Sequence, residues 1–139
     1  MEGSLGMKVV TLICRILLGL MFVVFGLNGF FNFIPMGPMP PADSPVGKWM
    51  SVMLQTGWMH HVSFFQVLGG LLVLIGGTAP LGLVILGPIL VNILTFHAVM
   101  MAGHGIGMGL FATILEIYLV WAYRANFAGI LTMKAKPVD

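Results

Sequence analysis

Of the 139 residues, 59% are hydrophobic and only 7% are charged, against roughly 25% charged in an ordinary soluble domain. So few charges cannot cover a water-facing surface, and the mean hydropathy of +1.07 agrees; a soluble fold is excluded in favour of an integral membrane protein. The net charge of +2 is small and scattered, which excludes a nucleic-acid partner, and the length allows one transmembrane domain over residues 1–139.

The first apolar run, residues 9–33, is long enough to span a bilayer with tilt. Lys8 before it resembles the start of a secretion signal, but the run is too long and ends in Gly29-Phe-Phe-Asn-Phe33 without a small-residue cleavage site, so it reads as a retained helix. Gly19, Gly26 and Gly29 share one stripe with Arg15 and Phe22, the pattern that close helix–helix approach in lipid requires. Five prolines between positions 35 and 45 rule out regular helix and favour an extended connector. Ser44 or Asp43 then caps a short amphipathic helix, residues 46–55, with Pro45 at its first position. Trp49 and Trp58 suit a segment lying at the membrane surface.

A second span is read over residues 61–77, with Gln66, Gly70, Val73 and Gly77 on one face. Thr78-Ala-Pro80 is a tight turn. A third span covers 81–102 and carries Pro88, a kink that neighbouring helices tolerate. The fourth, 106–123, follows a glycine-rich stretch, Gly103 to Gly109, which has no preceding strand and no P-loop lysine and reads as helix packing instead. The expected fold is therefore all-α: a four-helix membrane bundle with an interfacial helix between its first two spans. Four spans put both termini on one side. Lys8, Arg15, Arg124, Lys134 and Lys136 lie there against Lys48 alone opposite, so the positive-inside rule makes the termini cytoplasmic, in the inner (plasma) membrane.

Glu116 is the only acid inside a long apolar run, and Arg15 the only base well inside the first. Arg15 lies six residues in from Val9 and Glu116 eight before Arg124; at ~1.5 Å per residue these depths are roughly 9 and 12 Å from the same face. Ionisable groups at such depth seek partners inside the protein, so the two predict a structural ion pair clasping the first helix to the last.

The histidines gather toward the opposite end. Asn28, Gln66 and His97 fall at similar depth and define a possible ligand pocket able to hydrogen-bond a quinone carbonyl, with interhelical polar contact as the plainer use of the same residues. His97 is also the best-placed axial ligand for haem or chlorophyll. His60, His61 and His104 are weaker metal candidates beside it. Eight of the twelve methionines lie at that end too, a mixture that would suit Cu(I) but equally fills gaps between helices. Asn92 and His97 stand about 140° apart on their helix, so they cannot face one core. The lone Cys14 excludes a disulfide shuttle within the chain. No Ser/His/Asp arrangement and no pair of inward carboxylates is present, which argues against hydrolysis.

Arg15-Ile-Leu-Leu-Gly19-Leu-Met-Phe22 with Gly26, then Phe65-Gln66-Val-Leu-Gly69-Gly70 through Gly76, His97 late in the third span and Glu116 in the fourth together resemble the DoxX family of small four-helix membrane proteins. The resemblance covers roughly residues 9–124. It implies an accessory, non-catalytic role within a larger membrane electron-transfer or oxidoreductase complex. The alternatives are a quinone-binding component and a subunit holding haem or chlorophyll through His97. Many relatives carry a lysine shortly after the first-helix glycine, where this chain has Gly26-Leu-Asn28-Gly29, and an acid where Gln66 stands.

Overall fold

The computed structural model describes residues 4–138, and every regular element among them is helical. Helix α1, Leu5–Phe31, starts where the Ser4 hydroxyl accepts the Met7 N–H at 3.3 Å. At 27 residues it is about 40 Å long, more than the ~30 Å hydrocarbon thickness of a bilayer. It stops at Asn32, whose left-handed backbone (φ 49°) is one that asparagine tolerates at a helix end. Asn28 secures the exit: its Oδ1 accepts Ile34 N–H at 2.6 Å and its Nδ2 donates to Ile34 O at 3.3 Å.

The proline-rich connector leads into α2, Pro45–Gln55, with Ser44 as its cap and Pro45 in the first turn as expected. Gly57 (φ +72°) then turns the chain by 79° into α3, Trp58–Leu74. Trp49 of α2 rests on Phe96 with ring centroids 4.7 Å apart, which ties the short helix to a later part of the chain. α3 ends earlier than the expected residue 77, because Ile75 takes an extended backbone and Gly76–Thr78 forms a 3-10 turn. The Thr78 hydroxyl donates back to Leu72 O at 2.8 Å.

α4, Ala79–Thr95, contains Pro88 and continues without interruption as one π-helical turn, Phe96–Met100. Ala102 (φ 50°), Gly103 (φ 85°) and Gly105 (φ 75°) reverse the chain. α5, Ile106–Ala122, and the short α6, Arg124–Phe127, complete it.

α1, α3, α4 and α5 share one core of Leu18, Phe22, Val73, Leu83, Leu86, Leu90, Ala112, Leu115 and Leu119. α1 packs mainly on α3 and α3 on α4, while α5 touches both α1 and α4. The contacts run in opposite directions along each neighbouring pair. Gly19 meets Gly70 and Leu74 while Gly26 meets Ser63 and Val67; Gly82 meets Gly69 and Val73. Small residues hold the seams and large apolar ones face outward: Val91, Ile114 and Ile117 are each more than 60% exposed. Such a surface suits lipid. Two helical stretches, Leu5–Phe31 and Gly76–Met100, are long and apolar enough to cross a membrane, and a third if α2 and α3 count as one bent span; α5 is apolar but shorter.

The seam allows a direct check. A Cβ on Gly70 would sit 2.8 Å from Gly19 O and 2.9 Å from Val23 N, both backbone atoms, whereas one on Gly77 meets nothing within 4 Å. Gly70→Ala should therefore cost about 1–3 kcal/mol by overpacking, and Gly77→Ala should be nearly neutral. Thermal unfolding in detergent checks both.

Candidate functional site

Arg15 and Glu116 are both drawn inward, as their cost in an apolar layer requires, but they do not pair. The expected ion pair is replaced by two separate arrangements. The Arg15 guanidinium donates from Nε to Val73 O at 3.1 Å and from Nη2 to Leu74 O at 2.7 Å. Those are the last carbonyls of α3, which lack an intrahelical donor and lie at the negative end of its dipole. Arg15 is thus the C-terminal cap of α3, delivered from α1. Gly76 leaves room for it, since a Cβ there would lie 2.8 Å from both Nη atoms.

The reason the pair fails is rotational rather than a matter of depth. Arg15 shares its stripe with Gly19 and Gly26, and that stripe faces α3. On α5 the residue that faces α1 is Tyr118, whose hydroxyl meets Thr11 Oγ1 at 3.1 Å. Glu116 lies two residues away, about 200° around the helix, and so turns toward α4. The contact between first and last helices is made by two hydroxyls, not two charges.

Glu116 is 7% exposed, and its Oε2 has no hydrogen-bond partner. Its carboxylate lies in a groove of about 470 Å³ between α4 and α5, walled by Leu83, Gly87, Val91, Thr113, Ile117 and Val120 among others. Gly87 lies beside it, where a Cβ would make ordinary contact with Oε1 at 3.7 Å. The one nearby hydroxyl, Thr113 Oγ1, donates instead to Gly109 O of its own helix at 2.7 Å. A carboxylate so placed must be matched by a proton, a cation or a hydrogen-bond donor. The groove therefore offers almost wholly apolar walls, with the Glu116 carboxylate at its base.

Among the described residues no hydrogen bond joins Asn28, Gln66 and His97 to one another. Asn28 is buried but spent on Ile34. Gln66 lays its Cβ against Gly26. His97 sits on the π turn and bonds through Nδ1 to Ile93 O at 2.8 Å, on its own helix. Asn28 and His97 lie near helix ends and bond to backbone there, whereas Gln66 lies mid-helix and packs against α1.

The other histidines disperse as well. His60 stacks on Phe30 at 5.4 Å, His61 lies against Trp58, and His104 bonds to Met101 O at 2.8 Å. Among the described residues no three His, Cys, Asp or Glu side chains converge on one point.

No family model matches the chain, and neither a curated protein nor a solved structure matches it. The DoxX resemblance gains no support beyond the motifs that raised it. Sequence reasoning found both intramembrane charges but missed the capping role of Arg15 and the α4 wall around Glu116. The signal for the first was present in Gly76-Gly77-Thr78, which ends α3 level with Arg15.

Arg15→Leu should remove two charge-assisted bonds and leave two helix-end carbonyls unpaired, a loss of about 2–3 kcal/mol. Arg15→Lys, with one compact donor group in place of a fork, should fall between. Unfolding of both variants in detergent measures the difference.

Proposed function

We propose that the chain is a four-span accessory subunit of a larger membrane electron-transfer complex, in the DoxX mould, and that the α4–α5 groove seats a transmembrane helix of its partner. The observation that carries this reading is Glu116, a buried carboxylate whose Oε2 has no partner, in a groove otherwise apolar. A complete intramembrane site would supply the missing donor; here a polar or cationic side chain of the arriving helix does so. Asn92 on α4 is exposed with no hydrogen bond from its amide among the described residues. Exposed to acyl chains it is costly, and against a second protein it becomes useful polar contact. The electron-transfer part of the proposal rests on the resemblance, and the cytoplasmic placement of both termini in the inner (plasma) membrane rests on the distribution of lysine and arginine.

A second reading keeps the same groove and changes its occupant. A reduced quinone would lay its ring and tail along the apolar walls and donate a ring hydroxyl to Glu116. The groove volume, about 470 Å³, lies within the range of small-molecule sites. In this reading the quinone moves from the Asn28, Gln66 and His97 cluster to the other side of the bundle.

Glu116→Leu separates these roles from a purely structural one. Replacing an unpartnered carboxylate by an apolar side chain should leave the isolated chain equally or more stable in detergent. The same substitution should abolish retention of the oxidoreductase subunits that accompany the tagged wild-type chain out of native membranes in mild detergent. Retention of those subunits by the variant would overturn the accessory reading, as would unfolding of the isolated variant. Quinone extracted from the purified wild-type chain and absent from Glu116→Leu, with the partner still bound, would establish the second reading instead.

A further inference from the structure

A second groove, about 430 Å³, runs between the start of α1 and the end of α5, away from Glu116. Lys8, Arg15 and Arg124 line it, three of the six lysines and arginines in the chain, and among the described residues no acidic side chain does. The cations are held in different ways. Arg15 is anchored through Nε and Nη2 to Val73 O and Leu74 O, which leaves the Nη1 protons unused. Arg124 lies over the Trp121 ring, 4.7 Å from its centroid, and donates Nη1 to Trp121 O at 2.9 Å. Its planar fork is fixed by those two contacts with its remaining donors free. Lys8 is exposed at the rim.

Between the cations lie the hydrogen-bonded hydroxyls of Thr11 and Tyr118. Met7, Leu12 and Ala122 add apolar wall beside the rings of Trp121 and Tyr123, and Leu12 and Ile16 continue the apolar surface along α1. Charge at one end and hydrocarbon at the other is the profile of a lipid, not of a soluble anion, which would leave the apolar wall bare. Basic pockets between transmembrane helices near a membrane surface take anionic headgroups, and arginine forks match phosphate oxygens.

We infer that this groove binds the phosphate of an anionic phospholipid in the leaflet on the side of the termini, with an acyl chain along α1. The inference rests on the membrane placement but is independent of what occupies the Glu116 groove. Lys8 and Arg124 supply the charge that selects the headgroup. Arg15 adds to it while capping α3, so it is left intact in the test.

The test uses the full chain in a zwitterionic detergent, with phosphatidylglycerol, cardiolipin, phosphatidylcholine or inorganic phosphate added and lipid retention read by native mass spectrometry. The anionic lipids should be retained at least tenfold better than phosphatidylcholine, with inorganic phosphate giving no bound species. Lys8→Gln with Arg124→Gln should erase that preference. Lys134→Gln with Lys136→Gln, which removes equal charge outside the groove, should keep it. Equal retention of phosphatidylcholine, an undiminished preference in the Lys8/Arg124 variant, or an equal loss in the Lys134/Lys136 variant would each overturn the inference. Binding of inorganic phosphate as strong as that of the lipids would overturn its lipid source. Thermal unfolding without lipid confirms that each variant is folded.

Discussion

The bundle depends on backbone meeting backbone along both sides of α3. On one side Gly70 lies against Gly19 of α1; on the other Gly69 and Gly82 bring α3 and α4 together, where a Cβ on Gly82 would be 2.7 Å from Gly69 O. In lipid no hydrophobic force drives helices together, since acyl chains are as apolar as leucine, so close packing has to supply the attraction. α3 provides it twice. Leucines and Phe22 fill the space between the seams, while further large apolar side chains such as Val91, Ile114 and Ile117 stand outside. Polar groups inside must be satisfied at short range.

That demand accounts for the different fates of the two charges in the apolar layer. Arg15 reaches a helix end, where unpaired carbonyls await a donor, and is satisfied within the chain. Glu116 faces the middle of α4, whose backbone donors are engaged in the helix, and finds none. An acceptor beside a continuous helix has no backbone partner, whereas a donor beside a helix terminus has several. The asymmetry is between helix ends and helix middles, and it makes one charge part of the scaffold and leaves the other with an unpaired oxygen.

Much of this was legible in the residues. The glycine stripe of α1, the Ser44–Pro45 start of α2 and the inward position of Glu116 follow from spacing and capping rules that act over a few residues. The Arg15–Glu116 pairing failed although the two depths agree, because depth is counted along a helix and azimuth is set by its neighbours. Tyr118 claims the α1-facing side of α5 through Thr11, and no local pattern states which of several apolar faces meets which helix. Asn28 and His97, read from their depth as lining a pocket with Gln66, bond instead to nearby backbone at Ile34 and Ile93. The end of α3 at Leu74 rather than residue 77 comes from Ile75, whose extended backbone no helical propensity would foretell.

The capping of α3 by Arg15 joins groups made at different times during synthesis. The guanidinium is synthesised 58 residues ahead of the carbonyl it first holds, so α1 reaches the insertion machinery carrying a cation with nothing to bind. Release into lipid at that stage strands the charge, while delay until the second hairpin arm arrives delivers both helices together, already joined.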